Sequence, residues 1–133
     1  MTTLFAIDFD GTCVEHEYPR IGADVPGAAD TLRELTGRGD LLILWTMRSD
    51  GPLADAVAWF ERRGIEIVGA NESPGQASWT NSPKAYAHVY IDDAALGCPL
   101  VHPPAGTPGS PRPYVDWPAV RRLLGLDPAA PSA

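Results

Sequence analysis

Lysine is almost missing from this chain: Lys84 stands alone beside nine arginines in 133 residues. Seventeen acidic residues leave a formal charge of -7, so there is no basic field of the kind that draws a protein to nucleic acid or to an anionic membrane surface. Cysteine is equally scarce. Cys13 and Cys98 are too few for a disulfide framework and match no zinc spacing, so reduced thiols are expected. His16, His88 and His102 form no ligand spacing either, and His88 is expected to be a hydrogen-bonded structural residue. No apolar run approaches the ~20 residues that span a bilayer, and the amino terminus carries no basic segment followed by a long apolar stretch. The expectation is a cytoplasmic protein with no membrane partner. No glycine loop followed by Lys-Ser/Thr is present, which leaves nucleotide hydrolysis of the P-loop kind unsupported. Six positions after Cys13 stands Pro19, not the arginine a cysteine phosphatase needs, and Cys13 reads as a small packed residue.

What is present suits one globular domain, with 44% hydrophobic and 20% charged residues. Its expected span is 1–126, followed by a frayed tail at 127–133. Apolar runs suited to buried parallel strands occur at 4–7, 41–45, 65–68 and 88–91, and Leu100-Val101 reads as a small fifth strand. Between them, helical spacing predicts a helix from Pro26 to Gly37, a second from Gly51-Pro52 to about Arg63, and a last one capped by Asp116. Strand and helix alternate, which predicts an α/β, Rossmann-like three-layer sandwich with a mostly parallel sheet and helices on both faces. The segment 102–113, rich in proline and glycine, reads as an extended connector.

The first strand breaks off into Asp8-Phe9-Asp10-Gly11-Thr12. If the chain leaves the strand at Asp8, as Gly11 invites, both carboxylates can converge while Phe9 turns into the core. Two acids so close repel unless a cation lies between them or one keeps a proton. The carboxyl end of such a strand is also where ligands of open α/β sheets bind.

These five residues resemble the first motif of the haloacid dehalogenase-like (HAD) superfamily. Three further clusters stand in that family's order at or just before strand ends: Thr46, Lys84 and Asp92-Asp93. The resemblance implies a central first strand, with the second and third on one side and the fourth and fifth on the other. It also implies the chemistry. Asp8 would be the nucleophile, forming an aspartyl-phosphate, and Asp10 the general acid and base. Asp8, Asp92, Asp93 and the Asp10 carbonyl would hold Mg²⁺. Thr46, Lys84 and the backbone amides of Phe9 and Met47 would hold the phosphoryl group. Lys84 would sit buried among carboxylates, although only three residues separate it from the fourth strand, where the family often has a helix.

An aspartate at position 10 marks phosphatases within the superfamily, so the expectation is a Mg²⁺-dependent phosphomonoester hydrolase acting on a phosphorylated small molecule. Residues 13–25 and 69–83 leave no room for a cap domain. Either an adjoining subunit of a homo-oligomer or the substrate itself would then cover the site. His16, Arg48 and Asn71 are candidate substrate contacts, Arg48 equally a surface ion pair. The alternative from a different class is a catalytically weak phospho-ligand binding or interaction module of the same fold.

Overall fold

The computed structural model describes residues 2–129. Four short strands, β1 (Leu4–Ile7), β2 (Leu41–Leu44), β3 (Gly69–Ala70) and β4 (Val89–Ile91), form one parallel sheet in the order β3-β2-β1-β4. The register pairs Ile7 with both Leu44 and Ile91, so three strands end at one level. Two helices lie in the crossovers, α1 (Ala28–Gly37) and α2 (Asp50–Arg62), and α3 (Trp117–Leu123) closes the chain. The molecule is thus α/β, a small Rossmann-like sandwich. No helix among the described residues is long and apolar enough to cross a membrane.

Side-chain alternation along the strands divides the interior in two. Phe5, Ile7, Leu42 and Leu44 point into one core with Leu32 and Leu35 of α1, Trp59 and Phe60 of α2, and Trp117 and Val120 of α3. Ala6 and Ile43 point the other way, into a smaller core closed by Ala85 with Ala87 and Tyr90 at its margin. All three helices therefore share one face. The expected helices on both faces are not found: residues 71–88, with a single 3-10 turn at Gln76–Ser78, cover the second face as irregular chain. Pro74, Gly75 and Pro83 interrupt this segment and keep it from forming an amphipathic helix.

Three element predictions need correction. The third strand is Gly69–Ala70 and not residues 65–68, because only the Val68 N–H reaches the ladder, donating to Leu42 O, while Ile65 is buried beneath α2. Leu100–Val101 (β5) does not extend the sheet. It pairs antiparallel with Tyr114–Val115 (β6), a strand that went unpredicted. The connector 102–113 is consequently an excursion between two paired strands, fastened back where Ser110 N–H donates to Glu15 Oε1 at 3.0 Å. The helix predicted from Asp116 is present, with that carboxylate accepting from Ala119 N–H at 3.1 Å.

Helix α3 is locked to α1 by a buried arginine. Arg121 donates to Thr31 Oγ1 at 3.1 Å, to Glu34 Oε1 at 2.7 Å, and to the carbonyl of Asp127. The start of the tail expected to fray is thereby held, and residues 130–133 lie outside the described residues. The thiols of Cys13 and Cys98 are free. His88 stands just before β4, and its Nδ1 accepts from Leu4 N–H at 2.8 Å.

Candidate active site

Asp8 is the first residue past β1, where its N–H still donates to Ile91 O at 3.0 Å. The chain then turns sharply. The N–H groups of Thr12, Cys13 and Val14 all point at the Phe9 carbonyl, and Gly11 N–H donates to Val14 O at 2.7 Å. Gly11 has φ +82, and a Cβ there would lie 2.1 Å from His16 Nε2 and 2.4 Å from Asp93 Oδ2, so only glycine lets the turn approach β4's end. Phe9 faces inward as expected, fully buried against Trp59 and Phe60 with ring centroids at 5.7 and 6.1 Å.

The turn brings Asp8 to Asp92 and Asp93 at the end of β4. The three carboxylates each place an oxygen within 4.8 Å of the others. Thr12 joins them: its hydroxyl donates to Asp8 Oδ2 at 2.9 Å and accepts from Asp93 N–H at 3.2 Å. His16 comes over from the first loop and bonds Asp93 Oδ2 through Nε2 at 2.8 Å. Burial, then the charge of Asp92 and the hydrogen bond with Asp93, pushes Asp8 up to about 8, against the pull of the Thr12 hydroxyl. Asp92 is also raised, by burial first and by Asp93, with the Ala94 N–H acting against it. Burial and the neighbouring Asp8 hold the Cys13 thiol well above its ordinary range.

Asp10, expected to converge with Asp8 on one cation, is not among the three clustered carboxylates. Arg48 grips it with two bonds, Nε to Oδ2 at 2.8 Å and Nη2 to Oδ1 at 2.7 Å. Arg48 is 1% exposed, so it is neither a surface ion pair nor placed to touch substrate. The Asp10 backbone carbonyl, by contrast, accepts no hydrogen bond among the described residues, and the Phe9 N–H, within a fully buried residue, donates none.

Thr46 follows β2 with its N–H donated to Asn71 Oδ1 at 2.8 Å and its hydroxyl accepting from Arg48 N–H at 3.2 Å. Asn71, just past β3, is therefore a strut under the β2 turn; its Nδ2 donates to Arg48 O at 3.4 Å. Its φ of 58 is one that asparagine tolerates. Met47 between them is 99% exposed. Lys84 corrects the expectation of a buried ammonium: it is exposed, with Nζ 5.4 Å from the centroid of the Tyr90 ring, and among the described residues it forms no ion pair.

Two contributors escaped the sequence reading. Trp117 Nε1–H donates to Thr12 O at 2.8 Å, and Val115 N–H donates to Gly11 O at 2.9 Å. The segment after the connector thus holds the turn that carries Asp8. Nothing in the local sequence announces this, because the partners are about a hundred residues apart.

The fold and the acid cluster together define an α/β protein with an acid cluster at the carboxyl ends of its parallel strands, the edge at which ligands of open α/β sheets bind. No family model matches the chain, and no curated protein matches it. Among solved structures it is similar to a conserved protein from Bacteroides thetaiotaomicron, at 40% identity, with 73% of this chain and 80% of that chain covered and a TM-score of 0.68. The chain belongs to the same family as that conserved protein.

Proposed function

We propose that this protein is a Mg²⁺-dependent phosphomonoester hydrolase of HAD type, working in the cytoplasm on a phosphorylated small molecule. The observation that carries the reading is the crowding of Asp8, Asp92 and Asp93 at the ends of β1 and β4, where burial and the charge of Asp92 raise Asp8 to about 8. Such a cluster is relieved by a cation. The donors fit a hard one: three carboxylates and the free carbonyl of Asp10 are all oxygen, which suits Mg²⁺ better than zinc. When bound, the ion would neutralise charge on the nucleophile and the phosphoryl oxygens.

The residues of the chain then have the following roles. One Asp8 oxygen attacks phosphorus as the bond to the leaving oxygen breaks, giving an aspartyl-phosphate. Asp10 donates a proton to the leaving alkoxide and afterwards takes one from the water that releases inorganic phosphate and restores Asp8. The Phe9 and Met47 amides and the Thr46 hydroxyl donate to phosphoryl oxygens as their charge changes. Thr12 and His16 hold Asp8 and Asp93 in place. Among the described residues no domain covers the site, so the substrate or a second subunit would exclude water from it.

Cleavage of p-nitrophenyl phosphate tests the reading. Turnover should require Mg²⁺ and fall at least ~1,000-fold in Asp8→Asn, the scale expected on losing a covalent nucleophile. Ordinary turnover by that variant would end the proposal. One observation favours the alternative of a weakly catalytic phospho-ligand module: Lys84 lies outside the cluster. That reading expects phosphate-analogue binding with Mg²⁺ and negligible turnover by the unmodified chain.

A further inference from the structure

We infer that Arg48 is a positioning residue that fastens the Asp10 carboxylate to the first loop, residues 14–24, so that Asp10 is aimed only while that loop is closed. A guanidinium has five N–H donors and no acceptor. Here all five directions end inside the protein. Besides the two bonds to Asp10, Nη2 donates to Arg20 O at 2.7 Å, and Nη1 donates to Pro19 O at 2.9 Å and Pro52 O at 3.4 Å. The guanidinium carbon also lies 5.0 and 5.2 Å from the ring centroids of Phe9 and Tyr18. No donor is left for a substrate oxygen. Three segments meet on this one side chain: the turn after β1, the first loop and the start of α2.

The geometry serves orientation. Asp10 is 17% exposed and, but for this fork, free to rotate about its side-chain bonds. A proton carrier misplaced by about 1 Å can lose roughly 100-fold in rate. Lysine could not substitute, because three donors on one nitrogen cannot span acceptors that lie on different sides of a plane.

The catalytic consequence rests on the role given above to Asp10, whereas the coupling to the loop does not. Hydrogen exchange on the metal-free protein therefore comes first. In Asp10→Asn and in Arg48→Lys, the loop amides of Glu15 and Arg20 should exchange at least ~10-fold faster, β1 and β2 should keep their protection, and the double variant should add nothing. Wild-type loop exchange in Asp10→Asn would overturn the inference. In turnover assays Arg48→Lys should lower kcat at least ~10-fold with KM within about twofold, and should have no further effect in the Asp10→Asn background. A change confined to KM, or an undiminished effect in that background, would overturn it as well. Absence of Mg²⁺-dependent turnover by the wild type counts against the phosphatase reading alone, and the exchange result then decides the role of Arg48.

Discussion

Asp8 and Asp10 leave the same strand two residues apart, and their surroundings are opposite. Asp10 meets a buried guanidinium with matched geometry. Asp8 meets two more carboxylates and one hydroxyl, and among the described residues no cation. The first acid pair is complete within the protein and contributes to holding the fold. The second cluster is incomplete, stores repulsion, and becomes comfortable only by keeping a proton or taking a cation. One five-residue motif thus holds both an acid whose charge the fold satisfies and an acid that it leaves among like charges.

The comparison can be broken most forcefully at the complete pair. Arg48→Ala leaves Asp10 half-buried without its partner and the loop carbonyls of Pro19 and Arg20 without this donor, and should cost about 3–5 kcal/mol in urea unfolding. A loss under about 1 kcal/mol would mean the pair is far better solvated than its burial indicates.

The incomplete cluster should respond to a cation and to pH. Mg²⁺ at 100 times its dissociation constant should stabilise the protein by about 2.7 kcal/mol, read as a shift in Tm. In metal-free protein the sign for Asp8 follows from its folded value near 8 against an ordinary 3.8. Between those values the folded state keeps a proton that the unfolded state has lost, so this contribution to stability is full at low pH and declines as pH rises toward 8. Mg²⁺ should flatten that decline. A metal-free stability that instead rises over this range, in a form abolished by Asp8→Asn, would reverse the assignment.

Asp8→Asn should relieve the repulsion and raise metal-free stability at pH 8 by about 1 kcal/mol, a few degrees in Tm, while removing turnover. Differential scanning calorimetry on both proteins checks this, and a lowered Tm would contradict it. The smallest effect is expected at Lys84, which is exposed and outside the cluster: Lys84→Met should change stability by less than about 0.5 kcal/mol. A larger loss would place that ammonium in an interaction the fold depends on.

Much of this was legible in the residues. The apolar runs at 4–7 and 41–44 became central strands because such runs have nowhere to go but a doubly covered sheet, and Asp8, Thr46 and Asp92-Asp93 lie at strand ends because each run stops at a polar residue. Phe9 was readable as inward-facing because a turn invited by Gly11 lets the flanking acids converge while it enters the core. Arg48 was not, since an arginine two residues past a strand looks the same in sequence whether solvated or buried, and only the carbonyls of Pro19, Arg20 and Pro52 make the difference. Lys84 was misplaced because order along the chain does not say how far an irregular segment carries a side chain across the sheet. Leu100-Val101 had the composition of a strand, and its partner Tyr114-Val115 was hidden behind twelve residues rich in proline and glycine.

Local chemistry alone therefore determined which residues leave the strands as acids and where the chain must turn, because periodicity and glycine placement act over a few residues. The tertiary structure decided which acid is neutralised, which face of the sheet the helices share, and that Trp117 and Val115 hold the turn bearing Asp8. Those outcomes depend on donors and acceptors brought together from distant segments, and hydrogen-bond partners across such separations leave no periodic trace in a sequence.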